Sequence, residues 1–274
     1  MAITLWSTNQ ESMDLKDFCE FVDKNYKSLN VESMIDLASK FKALANNPYL
    51  LENIVLEELK NIDQFQISNP YSSQSLSLHI VPGKFFVRAN LWLPKQDFHK
   101  INGTGEQRLF AYYQPHDHNF DFMTIGYYGS GYHTDIYEYD HATVQGYIGE
   151  SVDIRYLETT ALEQGKIMIY RGSTDIHTQK FPEEFSISLN LMAPSLLPAR
   201  DQFMFDLDNS KIRGIIRSNY SGRKLLLEAA GYLANDNISD LLESIAKSHK
   251  CARTRETAKE ALSKRWPRYA TAIS

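Results

Sequence analysis

Histidines are concentrated in the middle of this sequence. Five of the eight, His116, His118, His133, His141 and His177, fall within one stretch. His116 and His118 are separated by a single residue. Side chains alternate between the two faces of a β-strand, so a strand would present both imidazoles on the same face. Such a pair predicts two ligands of one metal ion.

A third ligand must come from another strand, and His177 is the best candidate. It lies between two predicted strands, Lys166–Tyr170 and Phe185–Met192. Three neutral imidazoles suit iron(II), zinc, nickel, manganese or copper. They leave coordination positions for a substrate and O₂, or for an activated water. An isolated His-x-His pair with a structural or surface role is the competing interpretation.

Two carboxylates and one further histidine are candidates for supporting roles. Asp121, Glu138 and His133 are each expected as an additional ligand or as a partner that orients a ligand. His133 is also the candidate proton donor to bound oxygen or substrate. The alternatives are a solvated or capping carboxylate and a histidine that faces solvent. We interpret His141 as a surface residue.

Arginine and tyrosine provide candidates for substrate binding. Arg88 has apolar neighbours on both sides, and its guanidinium suits a carboxylate, so it predicts either a substrate anchor or an internal salt bridge. Arg171, just before Gly172, is a second candidate anchor. Tyr112 and Tyr170 are the tyrosines expected to line the pocket, although β-preference alone accounts for most tyrosines of this region.

The elements that must position these residues are indicated by hydrophobic periodicity. Residues 1–68 repeat apolar side chains at three- and four-residue steps, which predicts helices, with Asp14 as a cap and a break at Asn47-Pro48. Residues 69–200 alternate with period two between frequent turn residues, which predicts an antiparallel sandwich or barrel. Residues 201–274 form a third segment, in which helical periodicity returns from about Gly222. The strands predicted in the middle include Leu109–Gln114, Phe122–Tyr128, Asp135–Tyr139, Val144–Ile148 and Val152–Glu158, besides the two named above and residues 76–80 and 85–92.

Composition limits the class of protein. The chain has 274 residues, of which 43% are hydrophobic and 23% charged, as in ordinary globular domains. Cys19 and Cys251 lie at opposite ends and suggest no disulfide framework, and the first ten residues do not resemble a secretion signal, so a reducing cytoplasm is expected. No apolar run is long enough for a membrane span. The net charge of −5 argues against a nucleic-acid partner.

Residues from about Lys84 to Ser195 resemble a cupin, most closely the cysteine dioxygenase (thiol dioxygenase) group. The resemblance is carried by residues 85–90, by His116-Asp117-His118 with the glycine turn 129–131, and by residues 175–177 with 185–191. It implies a double-stranded β-helix (jelly-roll) barrel with flanking N- and C-terminal helices. It also implies a three-histidine iron site and a carboxylate-binding role for Arg88.

The substrate shell departs from that family. The Ser-His-Tyr relay of the family corresponds to Ser188, Asn190 and Met192, so only the serine is retained. Ser188 and Asn190 are nevertheless expected to contact substrate. Methionines at 123 and 192 stand where the family often has a Cys–Tyr crosslink, so no crosslink is expected. Cysteine is therefore not the expected substrate.

These observations predict an O₂-dependent, mononuclear non-haem iron oxygenase acting on a small, carboxylate-bearing molecule. Two alternatives stay open: a metal-binding or ligand-sensing cupin without catalysis, and a metal-assisted isomerase or hydrolase. The expected partners are the small-molecule substrate and O₂, and the resemblance adds a homodimer. Neither a nucleic acid nor a membrane is expected as a partner.

Overall fold

The N-terminal part is helical, as its periodicity predicts. The computed structural model describes residues 2–66, 69, 74–101, 110–193, 200–233 and 235–264. Helices α1 (Leu15–Asn25), α2 (Val31–Ala45) and α3 (Leu50–Lys60) follow a short strand, β1 (Ile3–Trp6), which the sequence analysis did not predict.

Local polar contacts set the ends of these helices. Asn30 caps α2: its side chain accepts a hydrogen bond from the backbone nitrogen of Ser33 at 2.9 Å, and the Ser33 hydroxyl accepts one from Asn30 N at 2.8 Å. This reciprocal arrangement satisfies two helix donors that would otherwise lack partners. Asp14 does occupy the N-cap of α1. Its carboxylate, however, accepts a hydrogen bond from Asn47 Nδ2 (2.9 Å) instead of capping the helix.

Ten further strands make up the β-region. They are β2 (Ser75–Val81), β3 (Phe85–Trp92), β4 (Phe122–Tyr128), β5 (His133–Glu138), β6 (Arg155–Ala161), β7 (Lys166–Tyr170), β8 (Asp175–Lys180), β9 (Ser186–Met192), β10 (Gln202–Asp206) and β11 (Lys211–Arg217). A short helix, α4 (Lys95–Phe98), follows β3.

Some strand predictions were wrong. In place of Val144–Ile148 the chain forms a 3-10 turn at His141–Thr143 and then irregular backbone, in which Gly146 has a positive φ of 88°. The described part of Leu109–Gln114 makes a single bridge, at Tyr112. β6 begins at Arg155, not at Val152. The β10–β11 hairpin lies within the segment 201–274, for which only helices were predicted. It was missed although its apolar run Phe203-Met204-Phe205 is flanked by the polar residues Gln202 and Asp206.

The strands form two antiparallel sheets. The first has the order β1-β7-β4-β9-β3-β2. In the second, β6-β5-β8 and β10-β11 are joined by the segment around His116, which bridges His177 on one side and Met204 on the other. The prediction of a mainly antiparallel β fold with helical flanks is confirmed. The strands of the described residues do not close into one continuous barrel.

The first sheet has two different faces. One face packs under α1–α3, where Phe41 is fully buried with Leu189, Leu191 and Met123. The other face looks toward the second sheet and carries Met168, Tyr170 and Met192 into a separate cluster with Tyr132, Ile136 and Leu162 of the opposite side. Because side chains alternate along a strand, β3, β4, β7 and β9 each contribute to both clusters.

Three helices complete the described chain: α5 (Asn219–Leu233), α6 (Asp236–Ser248) and α7 (Ala252–Leu262). They share a small core of Leu227, Leu242, Ala258 and Ala261. A Cβ added at Gly231 would lie 2.6 Å from the carbonyl oxygen of Ala261, so α5 and α7 approach closely only because this residue is glycine. None of the described helices combines the length and apolar character needed to cross a bilayer.

Candidate metal centre

Three imidazoles converge between the two sheets. His177 Nε2 lies 3.1 Å from His116 Nε2 and 3.1 Å from His118 Nε2. One nitrogen from each ring lies within 4.8 Å of the others, and the described residues contain no other group of three metal-ligating side chains of this kind. The structure thus brings together the three histidines that were the candidate metal ligands.

Backbone pairing fixes the positions of these rings. His177 is on β8, and its main chain exchanges two hydrogen bonds with that of His116, at 3.1 and 2.9 Å. The neighbouring Asp117 N donates to Phe203 O of β10 at 3.2 Å. The His116–His118 segment is therefore held between β8 and β10, as an additional strand of the second sheet.

The second nitrogen of each ring also has a contact. His116 Nδ1 lies 2.7 Å from the carbonyl oxygen of Gln114. His177 Nδ1 lies 3.2 Å from the amide of Gln179, and His118 Nδ1 lies 3.2 Å from the amide of Gln202. The Gln179 amide also lies 3.4 Å from His177 Nε2, while the Nε2 atoms of His116 and His118 each lie 3.1 Å from that atom. A ring that gives Nε2 to a metal carries its proton on Nδ1 and needs an acceptor there.

Both glutamines can supply such an acceptor by rotating the amide through 180°. In its present orientation, Gln179 Oε1 has no hydrogen-bond partner in the described part of the chain, although the residue is buried. The rotation would place this oxygen on His177 Nδ1.

Electrostatics favour the neutral, metal-binding form of the three histidines. Burial lowers the pKa of His116. Burial lowers the pKa values of His118 and His177 well below the usual range, and the neighbouring imidazoles lower them further. The positive charge of Arg88 acts in the same direction on the pKa of His118. Buried neutral imidazoles with oriented Nδ1 atoms fit a divalent transition metal.

Aromatic rings enclose the site. Tyr170 stacks on Phe122, with ring centroids 4.7 Å apart, and the Tyr170 ring is also 4.7 Å from that of His177. The Phe122 ring lies 5.0 Å from the ring of His118. Tyr112 lies in the same cluster and donates its hydroxyl hydrogen to Leu93 O at 2.8 Å. Both tyrosines predicted to line the pocket thus lie beside the three histidines or in the adjoining cluster.

Polar groups are grouped on the facing wall. Arg88 pairs in register with Asn190 across β3 and β9, so their side chains share a face. Ser188, on that face of β9, accepts a hydrogen bond from Trp92 Nε1 at 3.0 Å. Asn190 is only 4% exposed, and its Nδ2 has no hydrogen-bond partner among the described residues. A buried amide donor of this kind is available to a ligand.

Asp121, His133 and Glu138 are outside the three-histidine group. Asp121 accepts a hydrogen bond from Gly172 N at 2.7 Å. His133 is on the face of β5 opposite to Thr134 and Ile136, which point toward the site, so the structure gives it no route to the metal. Glu138 pairs with Arg155 and with Arg171. These two arginines lower the pKa of Glu138 to about 2.

Arg171 forms internal ion pairs, so it is not a free anchor for a substrate. Its guanidinium contacts Asp175 at 2.5 Å and Glu138 at 3.0 Å. The Asp175 side chain is fully buried, so the arginine neutralises an interior carboxylate. Met123 likewise lies away from the site, in the cluster under the helices, because it alternates with Phe122 along β4.

Sequence reasoning missed the residues that hold the ligands. Gln179 was detectable, because it follows His177 by two positions and shares its face of β8. Gln202 belongs to a distant strand and carries no sequence signal. Asp117, between the two ligands, accepts hydrogen bonds from the Tyr139 hydroxyl (2.6 Å) and from Phe203 N (2.6 Å). Burial raises the pKa of Asp117 to about 7.

Comparisons with known proteins give partial structural likeness only. No protein-family model and no curated protein sequence matches the chain. Similar solved structures include a hydroquinone 1,2-dioxygenase from Sphingomonas sp. TTNP3, with 8% identity over 48% of this chain and 72% of that chain, at a TM-score of 0.29. A salicylate 1,2-dioxygenase from Pseudaminobacter salicylatoxidans has 9% identity over 56% of this chain and 37% of that chain, at a TM-score of 0.31. A crystal structure of a DMSP lyase has 12% identity over 45% of each chain, at a TM-score of 0.26. Such distant superpositions carry no information on reaction or substrate.

Proposed function

We propose that this protein is a mononuclear non-haem iron oxygenase that uses O₂ to oxidise a small molecule bearing a carboxylate. The observation that supports the proposal is the convergence of three Nε2 atoms between the sheets, with that of His177 3.1 Å from each of the other two. His116, His118 and His177 would hold the iron. Bound iron would supply the activation of O₂ that a protein side chain cannot provide.

The fold we propose is a cupin-type double-stranded β-helix. Two facing antiparallel sheets with the site between them support this assignment, as do the motifs at His116-Asp117-His118 and His177. On this architecture the second sheet carries the three histidines, and the first sheet carries the polar wall opposite.

The chain's own residues would orient the substrate and exclude water. Arg88 would bind the substrate carboxylate, and Asn190 Nδ2 would donate a second hydrogen bond to it, because these two residues are paired across β3 and β9. Ser188 would keep Trp92 in place through its hydrogen bond. The stacked pair Phe122 and Tyr170 would exclude water from the reacting groups.

A second candidate is a ligand-sensing protein without catalysis. Asn190 and Met192 favour it, because neither side chain can move a proton as the corresponding family relay does. The same three imidazoles also suit zinc or nickel, so a metal-assisted isomerase or hydrolase is a further alternative.

Metal content and oxygen consumption together test the proposal. Protein purified without chelator is expected to contain about one iron per chain, whereas His116→Ala/His177→Ala contains none. The loaded protein is then screened against small carboxylates in an oxygen electrode. We expect Arg88→Met to retain iron and to lose the carboxylate-dependent oxygen uptake.

Thr178→Val is the matched control, because Thr178 is a buried β8 residue beside His177 that points to the opposite face. It should retain both iron and oxygen uptake. Zinc or nickel in place of iron, with no oxygen uptake, would favour the isomerase or hydrolase. Ligand binding without oxygen uptake would favour the sensor.

A further inference from the structure

The C-terminal helices are tied to the β-region by a buried ion pair. Arg253, near the start of α7, pairs through Nη2 with Asp201 Oδ2, just before β10. The Arg253 side chain is 7% exposed and that of Asp201 is 1% exposed. A pair so deeply buried is geometrically demanding, because either charge alone would be uncompensated in the interior.

The surroundings of Arg253 fit a flat cation. The guanidinium carbon lies 4.5 Å from the ring centroid of Tyr220 and 5.8 Å from that of Tyr147. A Cβ added at Gly146 would come within 2.8 Å of Nη2, so the loop backbone also packs against the guanidinium. The planar guanidinium of arginine fits against these rings and this backbone, whereas the ammonium group of lysine is not planar.

Asp201 is adjacent to the residues that hold the metal ligands. Gln202, the next residue, contacts His118 Nδ1 at 3.2 Å. Phe203 N donates to Asp117 Oδ1 at 2.6 Å, and Arg200 O accepts from Asn119 Nδ2 at 3.1 Å. Residues 200, 202 and 203 therefore contact residues 119, 118 and 117, respectively.

We propose that Arg253 is a positioning residue for the metal centre, which holds Asp201 so that Gln202 keeps the His118 ring oriented for coordination. The inference rests on the proposed metal-binding function. It gives the C-terminal helices a role in orienting the His118 ring. If they only packed against the β-region, they would contribute to stability alone.

The physical basis is the short covalent path between the ion pair and the amide. Without the Arg253 guanidinium, Asp201 keeps its 3.4 Å contact from Tyr220 N but loses the opposite charge beside it. Its carboxylate then gains free energy by moving toward water, and the backbone that carries Gln202 moves with it. Gln202 would then release His118 Nδ1. Loss of a group that orients a metal-bound histidine typically weakens metal binding about 10–100-fold.

A double-mutant cycle separates this coupling from general stability. One arm is Arg253→Gln, which leaves the Asp201 carboxylate buried without the guanidinium. The second arm is Gln202→Leu, and the third combines both substitutions. Tyr220→Phe is the matched control: it removes the 2.6 Å hydrogen bond to Thr257 and the 3.4 Å contact with Arg253 O, but it keeps the ring beside the Arg253 guanidinium.

The readouts are the dissociation constant for Co²⁺, by chelator competition, and the visible spectrum of the Co²⁺ protein. We expect Arg253→Gln to bind about 10–100-fold more weakly, with an altered spectrum. The combined variant should bind no more weakly than Gln202→Leu. Tyr220→Phe should lower the melting temperature and leave Co²⁺ affinity unchanged. If Arg253→Gln does not fold, Arg253→Lys, which keeps the charge, should give a smaller loss of affinity in the same direction.

Several outcomes would overturn the inference. Wild-type affinity in the folded Arg253 variants would exclude a positioning role while leaving the metal site intact. Additive losses in the combined variant would exclude transmission through Gln202. If the wild-type protein itself fails to bind Co²⁺ or iron, the proposed metal site falls and this inference with it.

Discussion

Replacing Gln179 by leucine is expected to weaken metal binding without removing a ligand. The Gln179 amide lies 3.2 Å from His177 Nδ1, and the residue is 6% exposed, so no bulk water can replace the contact. A loss of about 10–100-fold in affinity corresponds to about 1.4–2.7 kcal/mol. With metal in large excess, the metal-linked stabilisation should fall by the same amount, which is roughly 3–10 °C in melting temperature for a domain of this size.

The assay is thermal unfolding with and without Fe²⁺ under anaerobic conditions, together with chelator competition. Gln179→Glu sharpens the test, because a carboxylate can only accept a hydrogen bond. If Nδ1 of His177 carries the proton, Gln179→Glu should retain tight binding while Gln179→Leu does not. Thr178→Val, on the opposite face of β8, should behave like the wild type. Unchanged affinity in Gln179→Leu, or a greater loss in Gln179→Glu than in Gln179→Leu, would refute the reasoning.

Three further predictions concern stability. Phe41→Ala should lower the free energy of unfolding by about 3–5 kcal/mol in urea titrations, because it empties a fully buried position under the helices; metal affinity should not change. Arg171→Met should destabilise the protein by about 3 kcal/mol, since it leaves the Asp175 carboxylate buried without its partner, but should not alter the dependence of oxygen uptake on carboxylate concentration. Glu138 has its pKa lowered from 4.5 to about 2 in the folded state, so its stabilising contribution is present above pH 4.5 and is lost as the pH falls toward 2. Partial exposure should keep this contribution near 1 kcal/mol, and Glu138→Gln should remove it from the difference in unfolding free energy between pH 7 and pH 3.

Much of the site follows from local periodicity. His116 and His118 share a face because strand alternation is a property of the backbone, and it applies before any tertiary contact forms. The same rule places Arg88 beside Asn190 once the two strands are paired. Strand alternation also places the side chains of Phe122 and Met123 on opposite faces of β4. The family resemblance alone did not distinguish these two positions.

Long-range pairing accounts for what the sequence did not indicate. The sequence made Arg171 a candidate substrate anchor, but the fold places Glu138 and Asp175 beside its guanidinium. Gln202 reaches His118 only because β10 pairs with the segment around His116. No local pattern encodes such contacts, since they depend on which strands become neighbours.

β9 lies in the middle of the first sheet, between β4 and β3, and the alternation along it has a consequence for sequence divergence. Leu189 and Leu191 face the helices, whereas Ser188, Asn190 and Met192 face the site. A point substitution therefore alters only one of these surfaces. A one-residue insertion or deletion would exchange them, placing an asparagine under the helices and a leucine in the pocket. Descendants of this sequence are thus free to change the chemistry of the pocket by substitution, provided that the length of β9 is kept.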